Sequence, residues 1–84
     1  MYYNYVLQSK KDRKRYIGFT DDLKRRLDEH NKGLNKSTAC RKPFDLIYYE
    51  ACQNKKDAIK REKYLKTMWG NNYLNKRLSN LMEK

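Results

Sequence analysis

The chain has 84 residues, enough for one domain whose single core lies near the lower limit of self-sufficiency. Its 21 Lys and Arg against 10 Asp and Glu leave a net charge of +11, which repels itself and favours a polyanionic partner, most simply nucleic acid; a basic but inert surface is the plain alternative. No run of about eighteen apolar residues exists to span a membrane, and Cys40 and Cys52 with the lone His30 cannot complete a four-ligand zinc site.

The N-terminus, Met1-Tyr2-Tyr3-Asn4, shows no basic stretch followed by an apolar one, so no signal peptide is expected. Cysteines without a CxxC partner read as reduced thiols of a cytoplasmic protein. Tyr2 to Gln8 is aromatic and β-branched and predicts a strand; Ser9 to Lys14 is a polar turn, and Lys14 to Phe19 returns as a second strand. With the turn centred between Lys10 and Lys11, Tyr5 lies opposite Tyr16 on one face. A slip of one residue would separate them.

A helix over 21–32 follows, capped by Thr20 or Asp21, with Asp21 and Asp22 at the positive end of its dipole. Gly33 closes it where a left-handed residue is favoured. Asn35 to Lys42 is basic, lacks periodicity and reads as a loop. Pro43 opens a third strand over 45–52. Asn54, with Asp57 three residues on, caps a second helix that runs to about Met68 and stops at Gly70. Asn72 caps a last short helix, about 72–82, on which Leu74, Leu78 and Leu81 share a face. The order β-β-α-β-α-α predicts an α+β fold: a small three-stranded antiparallel sheet flanked by helices. Residues 1–84 are expected to form one domain with its core at about 2–69.

Two helix faces are unusual. Leu23 and Leu27 form an i,i+4 stripe that must face the core, and Arg26 and His30 fall on or beside it. Burying the leucines therefore turns a guanidinium and an imidazole towards the strand that carries Tyr16, which fits an anion held there. Arg25, about 200° from both leucines, points to solvent. On the second helix Ala58, Leu65 and Trp69 recur at helical spacing, and Glu62 sits in the middle of that stripe. An unpaired polar group there costs roughly 2–7 kcal/mol, and a charge more. Glu62 is therefore either a metal-binding carboxylate, for which Mg²⁺ is suited, or one half of a buried ion pair with Arg26 or a lysine.

Tyr3-Asn4-Tyr5, then Tyr16-Ile17-Gly18 eleven residues after Tyr5, resembles the two-part signature of the GIY-YIG nuclease domain. The spacing continues with Arg26 ten residues after Tyr16, a His or Tyr position at His30, and Arg61-Glu62-Lys63 on a later helix. The resemblance covers roughly residues 2–69, and with the strand Leu46-Ile47-Tyr48-Tyr49-Glu50 it is nearest the small stand-alone bacterial members. Each piece is weak; together they are specific. The chain departs from the pattern in carrying Tyr3 and Asn4 for glycine and isoleucine, and Phe19 where several relatives have lysine.

What the resemblance implies is a divalent-metal-dependent endonuclease that cuts DNA, with DNA rather than RNA as the expected substrate, in repair or recombination. Tyr16 would contact the attacking water as general base, with Tyr5 orienting it or sharing the role. A free tyrosine has a pKa of about 10, so nearby positive charge is needed; Lys14 or a cation of the 35–42 loop would supply it. Arg26 would clamp the phosphate, His30 would hydrogen-bond phosphate or water, and Glu62 would hold Mg²⁺ or Mn²⁺. Gly18 would let the backbone approach the site. Lys14, Arg26, Arg41 and Lys42 are the expected nucleic-acid contacts, and Asn72 and Asn75 both match the place of an asparagine functional in some relatives. The competing readings are a nucleic-acid-binding module without catalysis and a basic protein-interaction domain. Oligomeric state is not legible.

Overall fold

The computed structural model describes residues 1–82. Three strands, β1 (Tyr2–Ser9), β2 (Arg15–Thr20) and β3 (Phe44–Cys52), form an antiparallel sheet in the order β2-β1-β3. The helices are α1 (Leu23–Asn31), α2 (Lys55–Leu65), α3 (Met68–Arg77) and the single turn α4 (Ser79–Met82), with one 3₁₀ turn at Ala39–Arg41. The fold is thus α+β with a three-stranded antiparallel sheet, as the pattern predicts.

β1 is central and therefore covered on both faces, which is why four successive residues, Asn4 to Leu7, are buried. Alternation divides its side chains between two cores. Tyr5 and Leu7 pack with Phe44, Tyr16 and the α1 leucines Leu23 and Leu27. Val6 packs on the other face with Leu65 of α2 and Leu74 of α3.

The hairpin register differs from the expected one. The Ser9 hydroxyl accepts from the backbone N–H of Lys11 and of Asp12, and the Ser9 N–H bonds to the Lys14 carbonyl at 2.9 Å. This widened turn sets Tyr5 opposite Gly18 and Leu7 opposite Tyr16. The partner has moved by two residues. An even shift preserves the face, so Tyr5 and Tyr16 still share it.

The α1 cap is Asp22, whose carboxylate accepts from Arg25 N–H at 3.0 Å, rather than Thr20 or Asp21. Thr20 bonds instead to Asp22 N–H at 3.1 Å. Gly33 has φ +76°, the left-handed stop its position predicts. The Asn31 amide clasps the backbone of Phe44, accepting from its N–H at 2.6 Å and donating to its carbonyl at 3.2 Å. That clasp ties the end of α1 to the start of β3 and fixes the neighbouring His30.

The second helix ends sooner than its stripe predicts. α2 stops at Leu65, and Thr67 caps a new helix by accepting from Gly70 N–H at 3.2 Å. Gly70 is therefore inside α3. A Cβ there would lie 2.2 Å from the Tyr64 carbonyl oxygen and 2.4 Å from Leu65 Cα, so this glycine permits the close corner between two helices. Trp69, expected on the core stripe, is 75% exposed because the corner turns it outward. Asn72 lies within α3 and caps nothing.

Candidate active site

Four of the expected site residues converge on the α1 face of the sheet. Tyr5 lies flat across Gly18: a Cβ on that glycine would fall 2.3 Å from Tyr5 Cζ and from its hydroxyl. The Tyr16 ring centre is 6.4 Å from that of Tyr5 and 5.1 Å from that of His30. Arg26 Nε donates to the Tyr5 hydroxyl at 3.4 Å, and Arg26 Nη1 pairs with Glu29 at 3.0 Å. Arg25 points away, paired with Asp21 and Glu29 at the surface. The leucine stripe thus orients the two arginines as its geometry predicts.

His30 is fully buried, with both ring nitrogens engaged: Nε2 is 2.9 Å from the Tyr5 hydroxyl and Nδ1 is 2.7 Å from Thr38 Oγ1. One tautomer completes a directed chain. In it Thr38 turns its one hydroxyl hydrogen towards the Asn35 carbonyl, 3.4 Å away, and its oxygen accepts from Nδ1–H. Nε2 then carries the lone pair and accepts from Tyr5, whose own oxygen accepts from Arg26. Arg26, Tyr5, His30 and Thr38 form one directed chain of hydrogen bonds.

Charge and burial act together along it. Burial pushes the Tyr5 pKa up, and the opposing hydrogen bond and charge of Arg26 do not overcome it. Tyr5 therefore keeps its proton at neutral pH. Burial, then the Arg26 charge, lower the His30 pKa from its ordinary 6.5 and keep the imidazole neutral. Arg26 is held all the more firmly protonated by its bond to Tyr5.

Thr38 was not legible as a site residue. It lies in the stretch read as a featureless loop, and no periodicity marks it; only a hydroxyl eight residues after a candidate histidine was available as a signal. Glu50 belongs to a second polar cluster. It takes a bidentate pair from Arg61 at 2.8 and 3.0 Å and a hydrogen bond from Tyr48 at 2.7 Å, while the Arg61 guanidinium lies between the Tyr64 and Tyr73 rings. The Arg61 pair holds the Glu50 carboxyl below its usual range.

The other expected residues are placed as follows. Glu62 is half-buried and paired with Lys66 at 3.1 Å, a pair whose lysine is exposed in place of the buried pair expected, and its charge is felt at Tyr5. Among the described residues no three His, Cys, Asp or Glu converge to hold a metal. A lone carboxylate, Glu62, is the expected metal ligand, and a cation held by one carboxylate fills its remaining positions with water or phosphate oxygens. Such a donor set does not fit zinc. Lys14 is exposed beside Tyr16 in a cleft. Arg41 bonds to Asp12 at 2.9 Å and to the Arg15 carbonyl at 3.3 Å and covers the Phe44 ring, so it braces the hairpin turn. Lys42 is exposed, with Nζ near Gly33. Asn75 accepts from Arg15 at 2.6 Å.

Two tyrosines on adjacent strands, with an arginine and a histidine on the following helix, define the class. Residues 1–80 match the GIY-YIG catalytic domain, and the chain belongs to that family, whose members are in general nucleases. Its relatives include a UPF0213 protein of Clostridium perfringens, 40% identical over 75 residues that cover 88% of this chain and 80% of the relative. Another, from Lacticaseibacillus paracasei, is 46% identical over 66 residues, 77% of this chain and 73% of the relative. Among solved structures, the solution NMR structure of a UPF0213 protein from Bacillus halodurans matches with a TM-score of 0.54 and 33% identity, over 88% of this chain and 82% of that one. Among the described residues no helix is long and apolar enough to cross a membrane.

Proposed function

We propose that this protein is a divalent-metal-dependent endonuclease that hydrolyses phosphodiester bonds in DNA. The observation that carries the reading is the Arg26–Tyr5–His30–Thr38 chain. A phenylalanine at position 5 would pack the core equally well, so the hydroxyl between a permanent cation and a neutral imidazole fits proton transfer better than packing.

In this reading the attacking water gives its proton to the Tyr5 oxygen as Tyr5 passes its own to His30 Nε2. The resulting imidazolium keeps its Nδ1–H on Thr38. The water oxygen bonds to phosphorus, the bond to one ester oxygen breaks, and solvent protonates the leaving oxygen. Tyr16, half-buried beside the pair, orients the water. Arg26 meets the charge that grows on the non-bridging oxygens. Substrate also primes the base. Arg26 is one reason the imidazolium is disfavoured in the free protein, and a phosphate laid against Arg26 offsets that charge. Glu62 would release Lys66 and hold Mg²⁺ or Mn²⁺, which supplies Lewis-acid neutralisation of the phosphate. Lys14 and Lys42 would contact flanking phosphates, Arg41 adding charge from the hairpin turn. A cytoplasmic role on chromosomal DNA in repair or recombination accords with this chemistry.

The test is supercoiled plasmid incubated with the protein in Mg²⁺, and in Mg²⁺ with chelator. Nicked or linear product is expected only where metal is free. Glu62→Gln should lose cleavage and keep DNA affinity, since removing a negative charge does not weaken phosphate contacts. Plasmid left intact by folded protein in Mg²⁺ and Mn²⁺ would overturn the enzyme reading in favour of a binding module.

A further inference from the structure

The proton chain does not use the cleft on the other side of Tyr16. This cleft, of about 480 Å³, opens along the free edge of β2 and runs to the α2–α3 corner. Its walls carry Arg13, Lys14, Arg15, Tyr16, Lys66 and Asn71, with no carboxylate among the lining side chains. Four cations thus face one concavity, and among the described residues Lys66 alone of the four has a carboxylate partner, Glu62.

Two details point to an anionic occupant. Arg13 has φ +64°, in the left-handed region, at a turn where glycine or asparagine is the unstrained choice. The turn imposes this conformation, because Arg13 N–H bonds to the Ser9 carbonyl and the Arg13 carbonyl accepts from Gln8. Arginine there carries backbone strain that glycine would avoid. Arg15 gives Nη2 to Asn75 and its Nη1 is buried, so its charge acts on the cleft from within the wall.

We infer that this cleft is the track for the substrate strand on one side of the scissile phosphate, a phosphodiester backbone laid along the β2 edge. The inference rests on the nuclease reading, because Tyr16 is shared: a strand whose reacting phosphate lies at Arg26 and Tyr5 enters the cleft past Tyr16 and meets Lys14, Arg13 and Lys66 in turn. A single phosphate or small nucleotide would need one cation cluster, whereas these cations are spread from the hairpin turn to the helix corner. A polynucleotide fits that spread.

Binding of a short fluorescent single-stranded DNA, measured in chelator so that no cleavage intervenes, tests the track. Arg13→Gly/Lys14→Ala should lower affinity about tenfold at physiological salt and flatten the slope of log K against log salt by about 0.7 per lost contact. The control, Lys24→Ala/Lys56→Ala, removes the same charge from exposed positions on α1 and α2 and should change affinity by no more than about twofold. Arg13→Gly alone should not lower the melting temperature, since it relieves the left-handed arginine. Equal losses in the two double variants would mean diffuse attraction and no track. An acidic peptide of matched charge that displaces DNA as well as DNA itself does would also overturn the assignment. If the wild type fails to cut plasmid in Mg²⁺ while this binding pattern holds, the nuclease reading falls and with it the scissile phosphate, and the cleft is left as a binding track for a nucleic-acid strand.

Discussion

Replacing Thr38 with valine removes one oxygen from the buried end of the proton chain, and with it the 3.4 Å contact to the Asn35 carbonyl, while keeping the side chain's volume. The two side chains have the same shape, and Thr38 is fully buried with its hydroxyl 2.7 Å from His30 Nδ1. Without that oxygen the Nδ1–H is a buried donor lacking an acceptor, a loss of about 1–3 kcal/mol. The imidazole escapes most of that cost by moving its proton to Nε2, where the Tyr5 oxygen can accept it. Tyr5 then has no lone pair to donate into, and His30 can no longer receive its proton. A positioned general base contributes about 10²–10⁴ in rate, so cleavage should fall by about a hundredfold or more. DNA affinity should hold, because no charge has changed.

Thr38→Ser returns the oxygen and should recover most of the activity. The measurement is single-turnover cleavage at saturating protein in Mg²⁺, joined to ¹⁵N NMR of the His30 ring to read which nitrogen is protonated. A folded valine variant that shows the swapped tautomer and cuts at the wild-type rate would refute the relay. One that keeps Nδ1–H would refute the hydrogen-bond assignment beneath it.

Arg26→Ala should lose on the order of 3 kcal/mol of transition-state stabilisation, a factor of roughly a hundred in rate, while Arg25→Ala weakens nonspecific binding alone; equal single-turnover defects would mean the α1 face is misassigned. Gly18→Ala puts a methyl 2.3 Å from the Tyr5 ring, so chemical denaturation should show a loss of about 1–3 kcal/mol and cleavage should drop as the hydroxyl leaves its partners. An alanine variant with wild-type stability and rate would show that the ring does not lie across the glycine. Because burial and Arg26 lower the His30 pKa below 6.5, the unfolded chain binds the extra proton more readily, so stability should be full above about pH 6.5 and decline as pH falls through it. Denaturant midpoints on either side of that pH should show the decline in the wild type and not in a folded His30→Gln variant; the same decline in both would place its origin elsewhere.

What the sequence disclosed and what it hid divide by the range of the interaction. The α1 face was legible because Leu23 and Leu27 fix its rotation within one helix, and the rotation alone aims Arg26 and His30. The pairing of Tyr5 and Tyr16 on one face survived a wrong register because the strand period is two residues and the shift was even. Gly70 was misread for the opposite reason. A glycine that ends a helix and one that lets two helices touch look alike in one dimension, and only the Tyr64 carbonyl and Leu65 backbone across the corner tell them apart. Trp69 followed from the same error, since a stripe continued through a corner points the wrong way.

Thr38 shows why the site as a whole was less legible than the fold. It belongs to no element, and its role depends on a histidine that reaches it only after Asn31 has clasped Phe44 and brought the loop under α1. In a domain this small, fully buried positions are scarce, and two of them hold a histidine and a threonine bonded to each other. An apolar pair of similar volume in the same space would bury as much surface without desolvating polar groups. The polar pair therefore gives up stability at the one place where an arginine, two tyrosines and an imidazole meet. Departures from the rules of core packing are expected where a site must hold a proton in a set position. It is this departure, more than the excess of positive charge, that separates a catalytic reading of the α1 face from a merely nucleic-acid-binding one: affinity for a polyanion needs the lysines of the surface, but it has no use for a buried imidazole hydrogen-bonded at both nitrogens.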